Sequence, residues 1–153
     1  MKIIKIILIL TIIMITSCGY KIINNIDETN FNIIQTTYNG DTKINKKLNS
    51  NFKRFFDNEK ATRFFKVIAN SQSVKKITSK DTSGNDTGFS LEIIVNLEFY
   101  ENEELLDELN LNKKIDYSNL NSQFELKQYE KSITDDLVNL IIVDINSYLI
   151  SLK

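Results

Sequence analysis

The chain has 153 residues, 42% of them apolar and 25% charged, which fits one ordinary globular domain. It contains no histidine, no tryptophan, no proline and a single cysteine. These absences exclude a histidine-based triad or dyad, a zinc site with several His or Cys ligands, and any disulfide within the chain. Carboxylates and lysines remain as raw material for an enzyme. Composition offers no reason to expect one, so we expect no catalytic residues, no metal and no cofactor.

Charge is unevenly spread. The total is 19 Lys+Arg against 20 Asp+Glu. Lys2 and Lys5 lie in the first 17 residues, which hold no acid; the other 136 residues carry 17 bases and 20 acids, net −3. A general nucleic-acid binder shows a basic excess, so no nucleic-acid partner is expected. A body of this size buries roughly two thirds of its unfolded surface, enough for one core. Ile, Asn and Lys are abundant, as AT-rich coding would make them.

Met1-Lys2-Ile3-Ile4-Lys5 is a short basic start, followed by an apolar run from Ile6 to Ile15 broken by Thr11, then small Thr16 and Ser17. This is the layout of a secretory signal over residues 1–17. A helix over the apolar run would rise roughly 15 Å against about 30 Å of hydrocarbon, too little to span. Ile15-Thr16-Ser17-Cys18 resembles the bacterial lipobox. That resemblance implies a diacylated Cys18 thiol, cleavage before it and acylation of the new amine with palmitate-type chains. One chain anchors marginally, while two or more hold stably, so the mature protein, residues 18–153, is expected to be membrane-tethered. Gly19 follows where such signals place Asp to retain a lipoprotein in the inner membrane, which implies transport to the outer membrane.

In the mature chain, Lys21-Ile22-Ile23 is a short apolar start and 24–30 a polar stretch. The β-branched and aromatic segment from Phe31 to Tyr38 predicts a strand, ended by the turn residues Asn39-Gly40-Asp41. Ile44, Leu48, Phe52, Phe55 and Phe56 then form one helical stripe, with Asp41 or Thr42 as N-cap. Lys46, Lys47, Lys53 and Arg54 lie off it, as a solvated face would. Thr62 to about Lys80 predicts a long extended segment, and 81–86 a loop. The clearest signal is Phe89, Leu91, Ile93, Val95, Leu97 and Phe99, alternating over twelve residues. A period of two puts these six side chains on one sheet face, which should dominate the core at roughly 1.5–3 kcal/mol each. Glu101-Asn102-Glu103-Glu104 turns the chain, and Leu105, Leu109, Leu111 and Ile115 mark the return strand of an antiparallel meander.

Ser122-Gln123-Phe124-Glu125 has the spacing of a capping box. After it, Leu126, Tyr129, Ile133, Leu137, Ile141, Ile145, Tyr148 and Leu152 recur at three and four, predicting a helix of about 28 residues. The expected architecture is α+β: a two-layer sandwich in the order β-α-β-β-β-α, with two helices packed on one face of a roughly four-stranded sheet.

The combination resembles the LPS-assembly lipoprotein family, LptE. It is carried by Cys18-Gly19-Tyr20, by the element order, and most specifically by the run from Tyr117 to Glu130 before a helix containing Asp144-Ile145. That run has the Phe-Glu-Leu (124–126) and Tyr-Glu (129–130) pattern of alphaproteobacterial members. One departure is Asn102 in the last hairpin turn, where Gly is more usual. The resemblance implies an outer-membrane lipoprotein of the Gram-negative cell envelope, anchored facing the periplasm or the barrel lumen. It would plug and help assemble an LptD-type outer-membrane β-barrel and assist lipopolysaccharide transport. Lipopolysaccharide carries phosphates, so cations should meet them. The resemblance points to Lys80 in the hairpin and Lys127 at the start of the last helix as lipopolysaccharide contacts, with Lys75 and Lys76 nearby.

Three other readings compete. A lipid-anchored module regulating a cell-envelope enzyme would share the leader and a small α+β domain. A carboxylate enzyme would need Asp135-Asp136 or Glu103-Glu104 to cooperate. Helix neighbours do not face each other, however, and hairpin-turn acids are usually solvated. A membrane-active helix over Ile133–Leu152 is disfavoured by its acidic polar face, Asp135, Asp136 and Asp144.

Overall fold

The first strand, β1 (Phe31–Gly40), buries Phe31 and Ile33 and then breaks register between Ile33 and Gln35, which leaves Ile34 facing solvent. The computed structural model describes residues 29–120 and 122–152. The leader, the lipobox with Cys18 and the apolar start at 21–23 lie outside the described residues.

β1 ends where only glycine fits. Gly40 has φ +93°, and a Cβ there would stand 1.9 Å from the Ser71 carbonyl oxygen. The close approach lets the Asp41 N–H donate to that same oxygen at 3.0 Å. Asp41 then caps helix α1 (Thr42–Phe52), accepting from the backbone N–H groups of Lys43 and Ile44 at 2.8 and 3.1 Å. Of the two expected caps, Asp41 is therefore the one used. A 3-10 turn (Lys53–Phe55) finishes the helix, and Ile44, Leu48, Phe52 and Phe55 point into the core.

α1 is the crossover that returns the chain parallel to β1 as β2 (Arg63–Lys80). β2 runs antiparallel to β3 (Asp86–Glu101), and β3 antiparallel to β4 (Glu104–Ser118). The sheet order is β1-β2-β3-β4. The six alternating residues of β3 are all buried, with at most 6% exposure. The β3–β4 turn is two residues long. Asn102 and Glu103 have φ of 52° and 68°, the type I′ pattern, so the turn forms without the usual glycine.

Helix α2 (Gln123–Ser151) has 29 residues, and the Ser122 hydroxyl accepts from the Glu125 N–H at 3.4 Å. Its buried stripe is Leu126, Ile133, Leu137, Val138, Ile141, Ile145 and Leu149. Five positions differ from the sequence expectation: Val138 and Leu149 join the stripe, while Tyr129, Tyr148 and Leu152 are not fully buried. Tyr129 is 40% exposed, and Leu149, not Tyr148, fills the core at the C-terminal end. Steps of four from Ile133 to Leu149 keep the stripe over the sheet, and Tyr148 falls to the rim, where its hydroxyl donates to Asp107 at 2.5 Å. Burial, then the Asp107 carboxylate, raises the Tyr148 pKa.

The two helices lie side by side on one sheet face, joined by an Asn51 Nδ2 to Asn146 Oδ1 bond of 2.9 Å. The architecture is the expected two-layer α+β sandwich in the order β-α-β-β-β-α. Arg63 locks the far end of α2 to the sheet. Its Nε and Nη2 donate to the two Glu101 carboxylate oxygens at 2.9 and 2.8 Å, and its Nη1 donates to the Leu152 carbonyl at 2.8 Å. The guanidinium holds the Glu101 carboxyl below its ordinary value, and the carboxylate in turn raises Arg63.

Candidate functional site

β1 stops at Gly40, but β2 and β3 run on past it as a longer hairpin. Beyond that point the helix layer is incomplete. The N-terminal turns of α1, the β2–β3 hairpin and the first half of α2 enclose a cleft of about 630 Å³. Ile44, Leu91 and Val138 supply its apolar lining. Five lysines surround it: Lys43 and Lys47 from α1, Lys75 from β2, and Lys127 and Lys131 from α2. The acids there are Glu130 and Asp135, so the lining carries a formal +3.

Both acids are engaged. Asp135 Oδ1 meets Lys47 Nζ at 2.8 Å. Glu130 Oε1 accepts from Lys75 Nζ at 2.5 Å and from the Tyr117 hydroxyl at 2.8 Å. Lys75 also sits 3.9 Å from the centre of the Phe89 ring. Burial and then Glu130 raise the Tyr117 pKa, so this hydroxyl stays a proton donor. Lys43, Lys127 and Lys131 form no ion pair with the described residues. Three unengaged ammonium groups above an apolar floor suit a phosphorylated amphiphile: cations for the anionic head, hydrocarbon for what is attached to it.

Of the residues singled out in sequence, Lys127 and Lys75 line this cleft. Lys80 does not; it lies at the end of β2, 3.2 Å from Asp86. Lys76 pairs with Ser90 and points to the opposite sheet face from Lys75, because strand neighbours alternate. Lys43 and Lys131 were missed, and Lys47 was read only as solvated face. The available signal was the spacing: Lys43/Lys47 and Lys127/Lys131 are each an i,i+4 pair, so each pair shares one helix face. Among the paired acids, Asp135 is held by Lys47 and Glu103 by Lys66, while Asp136 and Glu104 are exposed. Among the described residues no cluster of His, Cys, Asp and Glu could hold a metal, and no helix is long and apolar enough to cross a membrane.

No protein-family model matches the chain, and no curated protein does. Solved structures do superimpose on it. A minor lipoprotein from Acinetobacter baumannii superimposes with a TM-score of 0.56 at 10% identity, over 75% of this chain and 89% of that one. The rare lipoprotein B from Shewanella oneidensis gives 0.48 at 13% identity, over 77% and 98%. A lipoprotein B from Nitrosomonas europaea gives 0.48 at 17%, over 72% and 78%. At such identities the Acinetobacter likeness establishes a common fold.

Proposed function

We infer that this chain is a lipid-anchored protein of the bacterial outer membrane that plugs and helps assemble an LptD-type β-barrel and assists lipopolysaccharide on its way to the outer leaflet. The observation that carries the reading is the lysine-rimmed cleft with an apolar floor. Three features support it: the lipobox-like Cys18, the run from Tyr117 to Glu130 that resembles the LptE family, and the fold shared with an Acinetobacter lipoprotein. In this reading Lys127, with Lys43 and Lys131, meets the sugar phosphates, and Lys80 lies outside the principal grip. The interior of a large outer-membrane barrel is polar, which suits the charged and amide-bearing parts of this surface. No chemistry on a substrate is required; the protein acts by position and binding.

Two experiments test the reading. The full chain, extracted from the envelope in detergent, should bring down an integral β-barrel in stoichiometric amount. The Lys43→Glu, Lys127→Glu, Lys131→Glu variant should bind purified lipopolysaccharide at least tenfold more weakly, as expected from losing several charge-assisted contacts. Adding Lys80→Glu should weaken binding little further. Recovery without any barrel, together with unchanged lipopolysaccharide affinity in the triple variant, would overturn the proposal.

A further inference from the structure

The helices cover one face of the sheet, and among the described residues nothing covers the other. Its centre is crossed by a row of four asparagines, one from each strand. Asn39 of β1 pairs with Asn70 of β2, Asn70 with Asn96 of β3, and Asn96 with Asn110 of β4. Asn70 is the only asparagine of β2 and Asn96 the only one of β3, yet the strand register sets them side by side. At about 4.8 Å between strands the row is roughly 14 Å long.

The next row, Gln72, Ile94 and Asn112, is also uncharged. Asn39 Nδ2 donates to Asn70 Oδ1 at 3.0 Å. The amides of Gln72, Asn96 and Asn110 form no hydrogen bond with the described residues, and all three are exposed. A hollow of about 350 Å³ lies over the start of the row, lined among others by Asn39, Asn70, Gln72, Ile94 and Asn96. Four residues along β3 from Asn96, on the same face, stands Tyr100. Its hydroxyl donates at 2.7 Å to Glu98, which stands between it and the asparagine row. A second hollow of about 390 Å³, lined by Gln35, Thr37, Lys66, Ile68, Tyr100 and others, adjoins it.

We propose that this open face binds a neutral linear oligosaccharide laid along the asparagine row. Each primary amide offers two donors and an acceptor, so it can pair with a hydroxyl in either direction. A run of such groups at strand spacing matches the repeated hydroxyls of linked sugar rings. Other ligands fit less well. A phosphorylated chain would need cations, and the two central rows hold none. A protein docking tightly would need an apolar centre, and here the only apolar side chain in those rows is half-buried Ile94. The site is separate from the lysine cleft, on the opposite side of the sheet.

The test uses the full-length chain, isotope-labelled, in a detergent without a sugar head. Chitotetraose and cellotetraose are titrated to about 10 mM, above the ~1 mM dissociation constant that roughly 4 kcal/mol of binding gives. At least one sugar should shift the side-chain NH₂ resonances of Asn39, Asn70, Asn96 and Asn110. The Asn96→Asp, Asn110→Asp variant keeps shape and removes donors; it should bind at least fivefold more weakly and stay folded, with a melt lowered slightly by the two opposed carboxylates. Lys127→Glu should leave sugar binding unaltered, which separates this result from the failure or success of the lysine cleft. No shift with either sugar overturns the proposal. So do shifts confined to the cleft, or a concentration-dependent dimer that the double Asp variant dissociates, since the occupant would then be a second copy of the chain.

Discussion

The two faces of one sheet behave as different materials. On the covered face β3 presents Phe89, Leu91, Ile93, Val95, Leu97 and Phe99, all buried under the helices. On the open face the same strand presents Glu92, Ile94, Asn96, Glu98 and Tyr100, and the centre of that face is a field of amides. The alternation means that a one-residue slip would exchange the two faces entirely, so burial on one side enforces the register that assembles the asparagine row on the other. The polar surface is positioned by apolar packing behind it.

Substitutions at neighbouring positions of β3 test that difference most strongly. Ile93 is fully buried, and Ile93→Ala should cost about 2–5 kcal/mol in urea unfolding, through lost burial plus the cavity left behind. Asn96→Ala, three residues away on the open face, should change stability by no more than about 0.5 kcal/mol. Equal losses at both sites would show that something covers the open face as the helices cover the other.

Within the covered layer, the polar join between helices gives a smaller effect. Asn51 is 6% exposed and donates to Asn146. Asn51→Ala leaves that acceptor without its partner and should cost about 1–3 kcal/mol, whereas the Asn51→Leu, Asn146→Leu pair should come close to neutral. Thermal melts of the single and double variants measure the difference.

The smallest expected effect is at the sheet edge, where Arg63 grips Glu101. Glu101→Gln should cost about 1 kcal/mol or less near pH 7, because both side chains are partly solvated. The Glu101 carboxyl is held below its ordinary value in the folded state, so the unfolded chain binds the proton more readily. This stabilisation is complete above the ordinary carboxylate range and is lost as the pH falls through the lowered folded value. The stability gap between wild type and Glu101→Gln should therefore narrow on acidification, as urea unfolding at pH 7 and at progressively lower pH would record.

Several elements were legible in the order of residues because their signals are local. Alternation over Phe89–Tyr100 fixes a strand and names its buried face. Asp41 before Ile44, and Ser122 before Glu125, mark helix starts with side chains that satisfy nearby N–H groups. The choice of Leu149 over Tyr148 was not legible, because both continue a three-and-four spacing and only the line of α2 across the sheet separates them. Asn102 and Glu103 likewise read as a turn, but their positive φ values follow from the pairing of Glu101 with Glu104.

The candidate sites belong to the second kind. Lys127 was named from the resemblance, but its company of Lys43 and Lys131 depends on where α1 starts relative to β2, and so on β1 ending at Gly40. Lys75 and Lys76 look equivalent in the chain and lie on opposite faces in the fold. The chain by itself determined element types, their order and the buried side of β3, because side-chain periodicity and capping act over a few residues. The tertiary structure decided the lysine cleft and the asparagine row, because both join side chains from three or four elements through strand register and an incomplete helix layer, and no local pattern encodes either.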